Sequence, residues 1–419
     1  MSSAVPSALR GLPRETFVLA VVAFCVALGF GIVAPAIPLF ALQFGVGTTA
    51  AGAVVSAFAL MRFASGLAGG RLVDRVGERV ALVAGIGVVA VSSLLAGLAV
   101  SYPQLLVLRG VGGVGSAVFT IASTSLLLRV AAAAERGRTQ GVYRAGFLLG
   151  GIVGPALGGA VVGVSLRAPF FLYAVTLVLA ALAGAVLLPR EPPRGALPST
   201  PEVPIGAAEA EAGAAAPDER LPAAAVPTDG RTTLAQALAF PAYRAALAGN
   251  FAIGFSVLGV RSTLVPLLVV QGLGLAGSWI GAAFLVSALV QTVLLLPAGR
   301  AVDTLGRRPT LVAGGLLTAG ALAALAAAGG PVSLLLGMSV FGAGGALLGV
   351  APAAIVGDVV QGRGGTAVAV WQMSSDLGSI LGPLVAGLLV DRASFAVALV
   401  VSAAVVGACG LLGLTVPRH

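Results

Sequence analysis

Twelve long apolar runs dominate the sequence and restrict the folds that it can adopt. They fall near residues 15–40, 49–70, 80–100, 104–128, 139–162 and 168–188, and then near 244–270, 277–299, 309–328, 332–356, 366–390 and 394–416. A run of about 20 apolar residues is long enough to cross a bilayer as a helix. The chain is 58% hydrophobic and 9% charged, whereas soluble domains carry about 25% charged residues. We therefore expect an all-α membrane protein with twelve transmembrane helices, called spans 1 to 12 in chain order.

The spacing of the runs divides the chain into two sets of six. It predicts an N-terminal six-helix bundle over residues 1–188 and a C-terminal six-helix bundle over residues 244–419. Residues 189–243 between them are rich in proline and alanine and hold seven of the fifteen acidic residues. We expect a mostly disordered cytoplasmic linker there. Its last part, residues 232–240, has the pattern of a short amphipathic helix on the membrane surface.

Arginines are distributed unequally between the two sides of the predicted bundle. The segments after spans 2, 4, 8 and 10 hold Arg71, Arg75, Arg79, Arg129, Arg136, Arg138, Arg300, Arg307, Arg308 and Arg363. The alternate segments hold only Arg167 and Arg392. Because basic residues accumulate in cytoplasmic segments, this asymmetry predicts that both termini are cytoplasmic. The expected location is the plasma membrane, crossed many times.

The residue types that the chain lacks exclude several kinds of site. It has no lysine, so it cannot form a Walker-type phosphate loop or a lysine Schiff base. Its single histidine, His419, cannot supply a histidine-based metal site or a catalytic triad. The arginines form no basic face with interleaved aromatics, which argues against nucleic acid binding despite a net charge of +9. We expect no cofactor, no metal ion and no nucleic acid partner.

The two sets of spans carry the same landmarks at a nearly constant offset. Segment 70–82, GRLVDRVGERVAL, returns as GRAVDTLGRRPTL at 299–311, an offset of 229 residues. Segment 151–159 returns at 379–387, and Pro38 returns as Pro266, both at an offset of 228. Two homologous halves predict a pseudo-two-fold axis along the membrane normal, with a site between the halves near the midplane.

The repeated segment at 70–77 resembles the signature loop between helices 2 and 3 of the major facilitator superfamily. The resemblance covers the chain outside the linker and implies the major facilitator fold. In that family the glycine permits close helix approach, and the aspartate with nearby arginines forms a cytoplasmic charge latch between the halves. Here Glu78 stands where the family usually has a basic residue. The latch residues implied by the resemblance are Gly70, Asp74, Arg75, Gly77 and Arg79, with Asp303, Gly306, Arg307 and Arg308 in the second copy.

Further motifs resemble the drug:proton antiporter group of that family. Leu28-Gly29 followed by Pro35-x-x-Pro38 is similar to the group's helix 1 signature, and Arg109 lies in a segment similar to the family's helix 4 motif. Span 5 is similar to the group's antiporter motif, which accompanies exporters more often than symporters. Small residues at this spacing also let two helices pack closely, and both readings can hold. The antiporter motif residues are Gly150, Gly154, Pro155, Gly158 and Gly159.

Four arginines fall inside predicted spans, namely Arg62, Arg109, Arg144 and Arg261. An arginine at a helix centre costs about 2.5–3.5 kcal/mol on insertion scales, so each must be paired, hydrated in a cavity or extended to the interface. Arg144 is close enough to the start of span 5 to reach the interface, and it is also a proton-coupling or ion-pair candidate with Arg62 and Asp376. In the family, spans 4 and 7 line the central cavity, so Arg109 and Arg261 are candidate cavity residues, together with Asn250 on span 7.

Asp376 on span 11 is the only acid in the middle of a predicted span. If protons drive transport, it is the best candidate to carry one, since burial favours a neutral carboxyl group. Residue counting also places Asp376 and Arg62 at similar depth, and spans 2 and 11 are neighbours in the family fold. An ion pair between them would make Asp376 a latch instead of a carrier. Both roles stay open.

Three functions are compatible with these features to different degrees. The leading hypothesis is a secondary exporter of small amphipathic molecules, driven by proton exchange through alternating access. The runner-up is a carrier for an organic anion or metabolite bound by the cavity arginines. The third is a membrane-embedded enzyme such as a lipid-linked glycosyltransferase, which the absence of surface acids or metal ligands disfavours. The expected partners are a small-molecule substrate, protons and the lipid bilayer, with a monomer as the working unit.

Overall fold

The computed structural model describes residues 12–130, 136–189, 233–360 and 365–417. In this part of the chain all twelve spans are present as helices long and apolar enough to cross a membrane, and no strand occurs. The all-α, twelve-span fold class is therefore confirmed. Most of the predicted linker lies outside the described residues, as do Arg363 and His419.

The first bundle contains spans 1 to 6, which alternate in direction. We call the side at which span 1 begins and span 12 ends the terminal side, and the opposite side the distal side. Span 1 is broken at Ala34 and Pro35 into two helices. The helices are Arg14–Val33 and Ala36–Leu42 (span 1), Thr48–Val76 (span 2), Glu78–Gly97 (span 3), Tyr102–Val130 (span 4), Arg136–Val162 (span 5) and Ala168–Leu187 (span 6).

The second bundle contains spans 7 to 12. Span 7 is interrupted by two π-helical segments, Gly254–Val260 and Leu268–Gly272, which flank the α-helical segment Arg261–Leu267. Segments of this kind are frequent at functional sites. The remaining helices are Pro241–Ile253 (start of span 7), Ser278–Thr304 (span 8), Arg307–Ala326 (span 9), Pro331–Val359 (span 10), Gly365–Arg392 (span 11) and Phe395–Leu411 (span 12).

A short helix, Leu234–Ala239, precedes span 7. Thr233 and Gln236 form its capping box: the Gln236 amide donates to the Thr233 hydroxyl at 3.3 Å, and the Thr233 amide donates to the Gln236 side chain at 2.9 Å. The helix predicted within residues 232–240 is therefore present. Its place on the membrane surface stays a prediction.

The latch segments differ from their predicted form. Residues 70–76, expected to form part of a loop, are the last turns of the span 2 helix, and only Gly77 separates them from span 3. Gly77 has a φ of 85°, and Gly306, between spans 8 and 9, has a φ of 97°. Glycine adopts this left-handed region without strain. Gly77 alone joins spans 2 and 3, and Leu305 with Gly306 joins spans 8 and 9, so neither junction contains a long loop.

The internal repeat is visible in the packing of the two bundles. A Cβ atom added at Gly31 would lie 2.7 Å from the Cδ of Pro155, and one added at Gly259 would lie 2.9 Å from the Cδ of Pro383. Both pairs are related by the offset of 228 predicted from the sequence. Glycine is therefore required at equivalent positions where span 1 meets span 5 and span 7 meets span 11.

The antiporter motif residues pack span 5 directly against span 1. Cβ atoms added at three of its glycines would lie 2.5 Å from main-chain carbonyl oxygens of span 1. The glycine and carbonyl pairs are Gly150 with Phe24, Gly154 with Leu28 and Gly158 with Ile32. The four-residue spacing on both helices brings the two backbones together along two turns.

Candidate functional site

The two bundles meet at the distal ends of two pairs of spans. Span 5 meets span 8, where a Cβ atom added at Gly281 would lie 2.9 Å from the Cα of Gly159. Span 11 meets span 2, where a Cβ atom at Gly387 would lie 2.7 Å from the Thr48 carbonyl oxygen and one at Gly52 would lie 2.9 Å from the Pro383 carbonyl carbon. We call these two contacts the distal seal.

The two contacts of the seal involve equivalent positions of the two halves. Gly159 corresponds to Gly387 at an offset of 228, and Gly52 corresponds to Gly281 at an offset of 229. The antiporter motif thus has two structural tasks: three of its glycines face span 1 of the same bundle, and Gly159 faces the opposite bundle.

Asp391 adds a polar clamp to one of the two contacts. Its carboxylate accepts hydrogen bonds from the main-chain amides of Thr48 and Thr49, each at 2.8 Å, and from the Thr49 hydroxyl at 2.6 Å. An acid from span 11 therefore caps the first turn of span 2, where the amides lack helical partners and the helix dipole favours negative charge. The equivalent position in the first half is Gly163, which has no side chain to form such a clamp.

A cavity of about 530 Å³ lies between the bundles, lined by spans 5, 7 and 8. Its span 5 residues, 141–152, and its span 8 residues, 288–295, lie on the terminal side of the contact between Gly159 and Gly281. Its polar lining residues are Arg144, Arg261, Gln291 and Thr292, and the rest of the wall is apolar or glycine. We call it the terminal cavity.

A second cavity, of about 430 Å³, lies at the distal ends of spans 1, 5 and 7. Leu39, Gln43, Gly163 and Gln271 are among its lining residues. The distal seal therefore lies between two cavities.

Arg261 is held between aromatic rings at the wall of the terminal cavity. Its guanidinium carbon lies 5.1 Å from the Phe284 ring centre and 5.9 Å from the Phe341 ring centre. Its Nε atom is buried and has no hydrogen-bond partner among the described residues. Cation–π contacts of this kind offset part of the desolvation of a buried cation.

The two other candidate cavity residues are placed differently. Arg109 is 3% exposed, and its guanidinium carbon lies 4.6 Å from the Phe58 ring centre inside the first bundle. The Asn250 amide donates to the Trp371 carbonyl oxygen at 2.6 Å and joins spans 7 and 11. Neither residue lines the two cavities described above. A role of either residue in substrate binding stays a prediction.

Arg62 and Asp376 form an ion pair between the two bundles. Their side chains are 31% and 23% exposed. The pair lies on the terminal side of the seal. Between the seal and the ion pair, the Ser56 hydroxyl of span 2 donates to the Ile380 carbonyl oxygen of span 11 at 2.7 Å. Spans 2 and 11 are thus joined from Asp391 down to Asp376, whereas spans 5 and 8 diverge around the cavity. The sequence indicated this pairing, and proton transfer by Asp376 stays a prediction.

The latch segments hold two ion pairs of opposite polarity at equivalent positions. Arg129 Nε donates to Glu78 at 2.5 Å in the first half, and Arg307 Nε donates to Asp358 at 2.8 Å in the second. The partners are 51 residues apart in both cases, and the pairs are related by the offset of 229. Glu78, which departs from the family signature, is therefore matched by a cation on span 4. Both pairs join helices of the same bundle.

The other latch residues lie around these pairs. Asp74 and Arg75 occupy the end of span 2, and Arg79 begins span 3, where it donates to the Ala185 carbonyl oxygen of span 6. Gly70 has open space at its Cβ position, so close approach does not require glycine there. Asp303 and Arg308 lie at the facing ends of spans 8 and 9. A latch between the halves at these residues stays a prediction.

Several residues of the site were not identified from the sequence. Asp391 is the only acid near the distal end of a span, which was an available signal. Gln291 and Thr292 were part of an apolar run with no distinguishing pattern. The pairing of Arg307 with Asp358 could have been found by applying the offset of 229 to charged residues.

Two pseudo-symmetric six-helix bundles with a cavity between them, closed at one side, define a membrane transporter. The sequence profile of the Major Facilitator Superfamily matches residues 19–259 and 246–419. The chain belongs to this family, and it is a multi-pass membrane transporter and not an enzyme.

Characterised relatives resemble part of the chain. Multidrug resistance protein 1 of Bacillus subtilis (strain 168) is 32% identical over 171 residues, which are 41% of this chain and 44% of the relative. The quinolone resistance protein NorA of Staphylococcus aureus (strain MRSA252) is 28% identical over 175 residues, 42% of this chain and 45% of the relative. The chain thus matches less than half the length of these relatives. The resemblance to drug efflux proteins found in the motifs is confirmed.

Solved structures match nearly the whole chain in fold. A bacterial homologue of the human lysosomal transporter Spinster, inward-facing and unoccupied, superposes with a TM-score of 0.73 at 16% identity, covering 96% of both chains. A peptide transporter POT in complex with sulfate gives a TM-score of 0.73 at 15% identity, covering 97% of this chain and 94% of that one. At such identities the likeness shows the fold alone.

Proposed function

We propose that this chain is a proton-coupled exporter of small amphipathic molecules that works by alternating access. The observation that carries the proposal is the distal seal between two cavities, each lined by both bundles. Opening the seal while closing the terminal cavity would move a bound molecule from one side to the other. The efflux relatives named above support export as the direction.

The proposal places the terminal side in the cytoplasm of a cell bounded by a plasma membrane. The arginine-rich segments lie at this side, which agrees with the tendency of basic residues to stay cytoplasmic. In this orientation the seal lies on the exterior side and the terminal cavity on the cytoplasmic side. That is the state in which an exporter takes up its substrate. Since a single chain encloses the cavity, we expect a monomer to be the transport unit.

Asp376 is the proposed proton acceptor. It is the only acid in the middle of a span within the described residues, and its partner Arg62 lies on the opposite bundle. Protonation would neutralise the carboxylate and release the ion pair, which would free spans 2 and 11 to separate. One group would then link proton binding to the movement of the two bundles.

The test measures transport of a fluorescent amphipathic dye into proteoliposomes under an imposed pH gradient. We expect wild-type protein to accumulate the dye, and Asp376→Asn to lose proton-driven accumulation by about tenfold or more while retaining dye exchange without a gradient. Asp358→Asn is the matched control, because Asp358 pairs within one bundle at the terminal end. Undiminished proton dependence of Asp376→Asn excludes this residue as the carrier. Wild-type dye transport that does not depend on the imposed pH gradient excludes proton coupling.

A further inference from the structure

The membrane interior of this protein contains more positive than negative charge. Arg62, Arg109, Arg144 and Arg261 lie within the spans, whereas Asp376 is the single acid at such depth in the described part of the chain. Asp376 is already paired with Arg62. Three arginines therefore have no acidic partner among the described residues. Burying an unpaired cation is costly, which favours an anion from outside the chain.

Two of these three arginines line the terminal cavity from opposite bundles. Arg144 is an exposed residue of span 5, and Arg261 lies on span 7. None of the described residues that line the cavity is acidic. Neither arginine forms an ion pair or hydrogen bond with another described residue. Both guanidinium groups thus keep their N–H donors available to a molecule in the cavity.

The surroundings of Arg261 are suited to an acidic group attached to an apolar body. The rings of Phe284 and Phe341 both lie beside the guanidinium group. The Gln291 side chain lines the same cavity and has no hydrogen-bond partner among the described residues, so its amide can donate as well. Apolar residues complete the wall and would contact a hydrocarbon part: Phe147, Leu148, Ile152, Ala288 and Leu295. A cavity of about 530 Å³ has the size of a small-ligand site.

We infer that the terminal cavity binds an amphipathic organic anion, whose carboxylate, sulfonate or phosphate group is held by Arg261 with Arg144 and Gln291. This inference rests on the proposed transport function and specifies the charge of the substrate. An anion between the two arginines would also attract span 5 towards span 7. Binding would then favour closure of the cavity at the terminal side, because a ligand shifts the equilibrium towards the state in which it has more contacts.

The experiment compares two probes that differ only in the acidic group. Anilinonaphthalene sulfonate carries a sulfonate, and N-phenylnaphthylamine is the same aromatic body without it. Binding is measured by fluorescence on purified protein in phosphatidylcholine nanodiscs, after subtraction of empty discs. We expect the sulfonate to bind wild-type protein at least about tenfold more tightly than its neutral parent, as a charge-assisted contact allows.

Substitutions then assign the difference to the arginine site. Arg261→Gln is expected to weaken sulfonate binding at least about tenfold and to leave the neutral probe unchanged, whereas Arg261→Lys retains part of the affinity. Arg244→Gln is the matched control, since Arg244 is an exposed arginine on the same span outside the cavity. Retained binding of the neutral probe shows that the variant is folded. Equal affinity of both probes for wild type, or equal loss of both in Arg261→Gln, overturns the inference.

A second arm separates a free substrate from a lipid headgroup. The titration is repeated in discs containing phosphatidylglycerol. If the sulfonate affinity is retained, the site belongs to a diffusible anion. If the anionic lipid displaces the sulfonate in wild type but not in Arg261→Gln, the occupant is the headgroup and the substrate assignment is overturned. These binding measurements are independent of the transport assay. The result obtained for proton-driven transport in Asp376→Asn therefore leaves the inference about anion binding unchanged.

Discussion

At the scale of single residues, the two latch ion pairs show how one geometry can be built with exchanged charges. Glu78 pairs with Arg129, and Arg307 pairs with Asp358, at equivalent positions of the two bundles. The acidic residue at position 78 is therefore accompanied by a basic residue at position 129 on span 4, so both charges of the pair are exchanged relative to the second bundle. What is retained between the halves is the pairing and not the residue type.

Reversing one member of the first pair should destabilise the protein, and reversing both should restore it. Glu78→Arg places two cations at the ends of spans 3 and 4, and we expect a loss of about 1 kcal/mol, as is usual for partly exposed pairs. Glu78→Arg with Arg129→Glu should recover most of that loss. The measurement is thermal unfolding in detergent, with the corresponding exchange at Arg307 and Asp358 as the matched control. A double variant no more stable than Glu78→Arg would show that the pair does not contribute.

Asp391 should hold the distal seal closed. In Asp391→Ala the first turn of span 2 loses three hydrogen bonds to the opposite bundle. Hydrogen bonds to charged groups contribute about 1.5–3 kcal/mol each, so the loss of even one predicts at least about tenfold more of the state open to the distal side. The readout is labelling of Leu148→Cys in the terminal cavity by an impermeant maleimide added from the distal side, with Cys25 and Cys409 replaced. Asp391→Asn, which keeps one acceptor, should give an intermediate rate; unchanged labelling in both variants would remove Asp391 from the seal.

At the scale of helices, the span 1 and span 5 interface follows directly from glycine spacing. A Cβ atom at Gly154 would lie 2.5 Å from the Leu28 carbonyl oxygen, and the obstructing atoms belong to the backbone. Gly151, one turn away, has no atom within 4 Å of its Cβ position. The two glycines therefore differ in packing although they lie on the same helix one turn apart.

Gly154→Ala should destabilise the protein where Gly151→Ala does not. The first forces spans 1 and 5 apart, and overpacking of this kind costs about 1–3 kcal/mol. The second adds a methyl group in open space and is expected to be neutral or slightly stabilising, because alanine is the better helix former. Unfolding temperatures in detergent compare the two directly. Equal stability of both variants would mean that the helices can separate without loss.

The sequence predicts which helices form better than it predicts where they end and how they are joined. Long apolar runs fix the twelve spans, and the offset of 228 or 229 relates equivalent contacts such as Gly31 with Pro155 and Gly259 with Pro383. The helical extension of span 2 to Val76 was not predicted, because charged residues at a membrane surface look like a loop in hydropathy. The π-helical segments of span 7 have no periodicity signal. The clamp at Asp391 depends on a contact 343 residues away in sequence, which local patterns do not contain.

At the scale of the whole molecule, the two interfaces between the bundles are unequal. Spans 2 and 11 are joined from Asp391 to the pair of Arg62 with Asp376, whereas spans 5 and 8 touch at Gly159 and Gly281 and then diverge. The position of Arg261 in the cavity and of Arg109 inside a bundle could not be separated from sequence, because both are arginines within apolar spans. The difference lies in what each side chain meets: Arg109 contacts Phe58 of its own bundle, whereas Arg261 lines the cavity between the bundles.

A covalent bond across the distal seal should stop transport and leave binding intact. The Thr49 hydroxyl and the Asp391 carboxylate are 2.6 Å apart, so the thiols of Thr49→Cys with Asp391→Cys can be joined by a short bis-methanethiosulfonate cross-linker in a protein lacking Cys25 and Cys409. We expect cross-linking to lower dye transport by at least about tenfold and reductant to restore it, since the seal must open once per cycle. Probe binding in the terminal cavity should persist. Thr49→Cys alone is the control, and full transport by the cross-linked protein would show that the seal does not open.

The backbone contact between Gly159 and Gly281 has a consequence for the energy stored across the membrane. Where two main chains touch without intervening side chains, no channel remains for a continuous file of water molecules. Such a file would conduct hydronium charge and discharge the electrochemical gradient that the cell maintains. In the proposed transport cycle, this glycine contact would limit proton leak through the closed side of the protein.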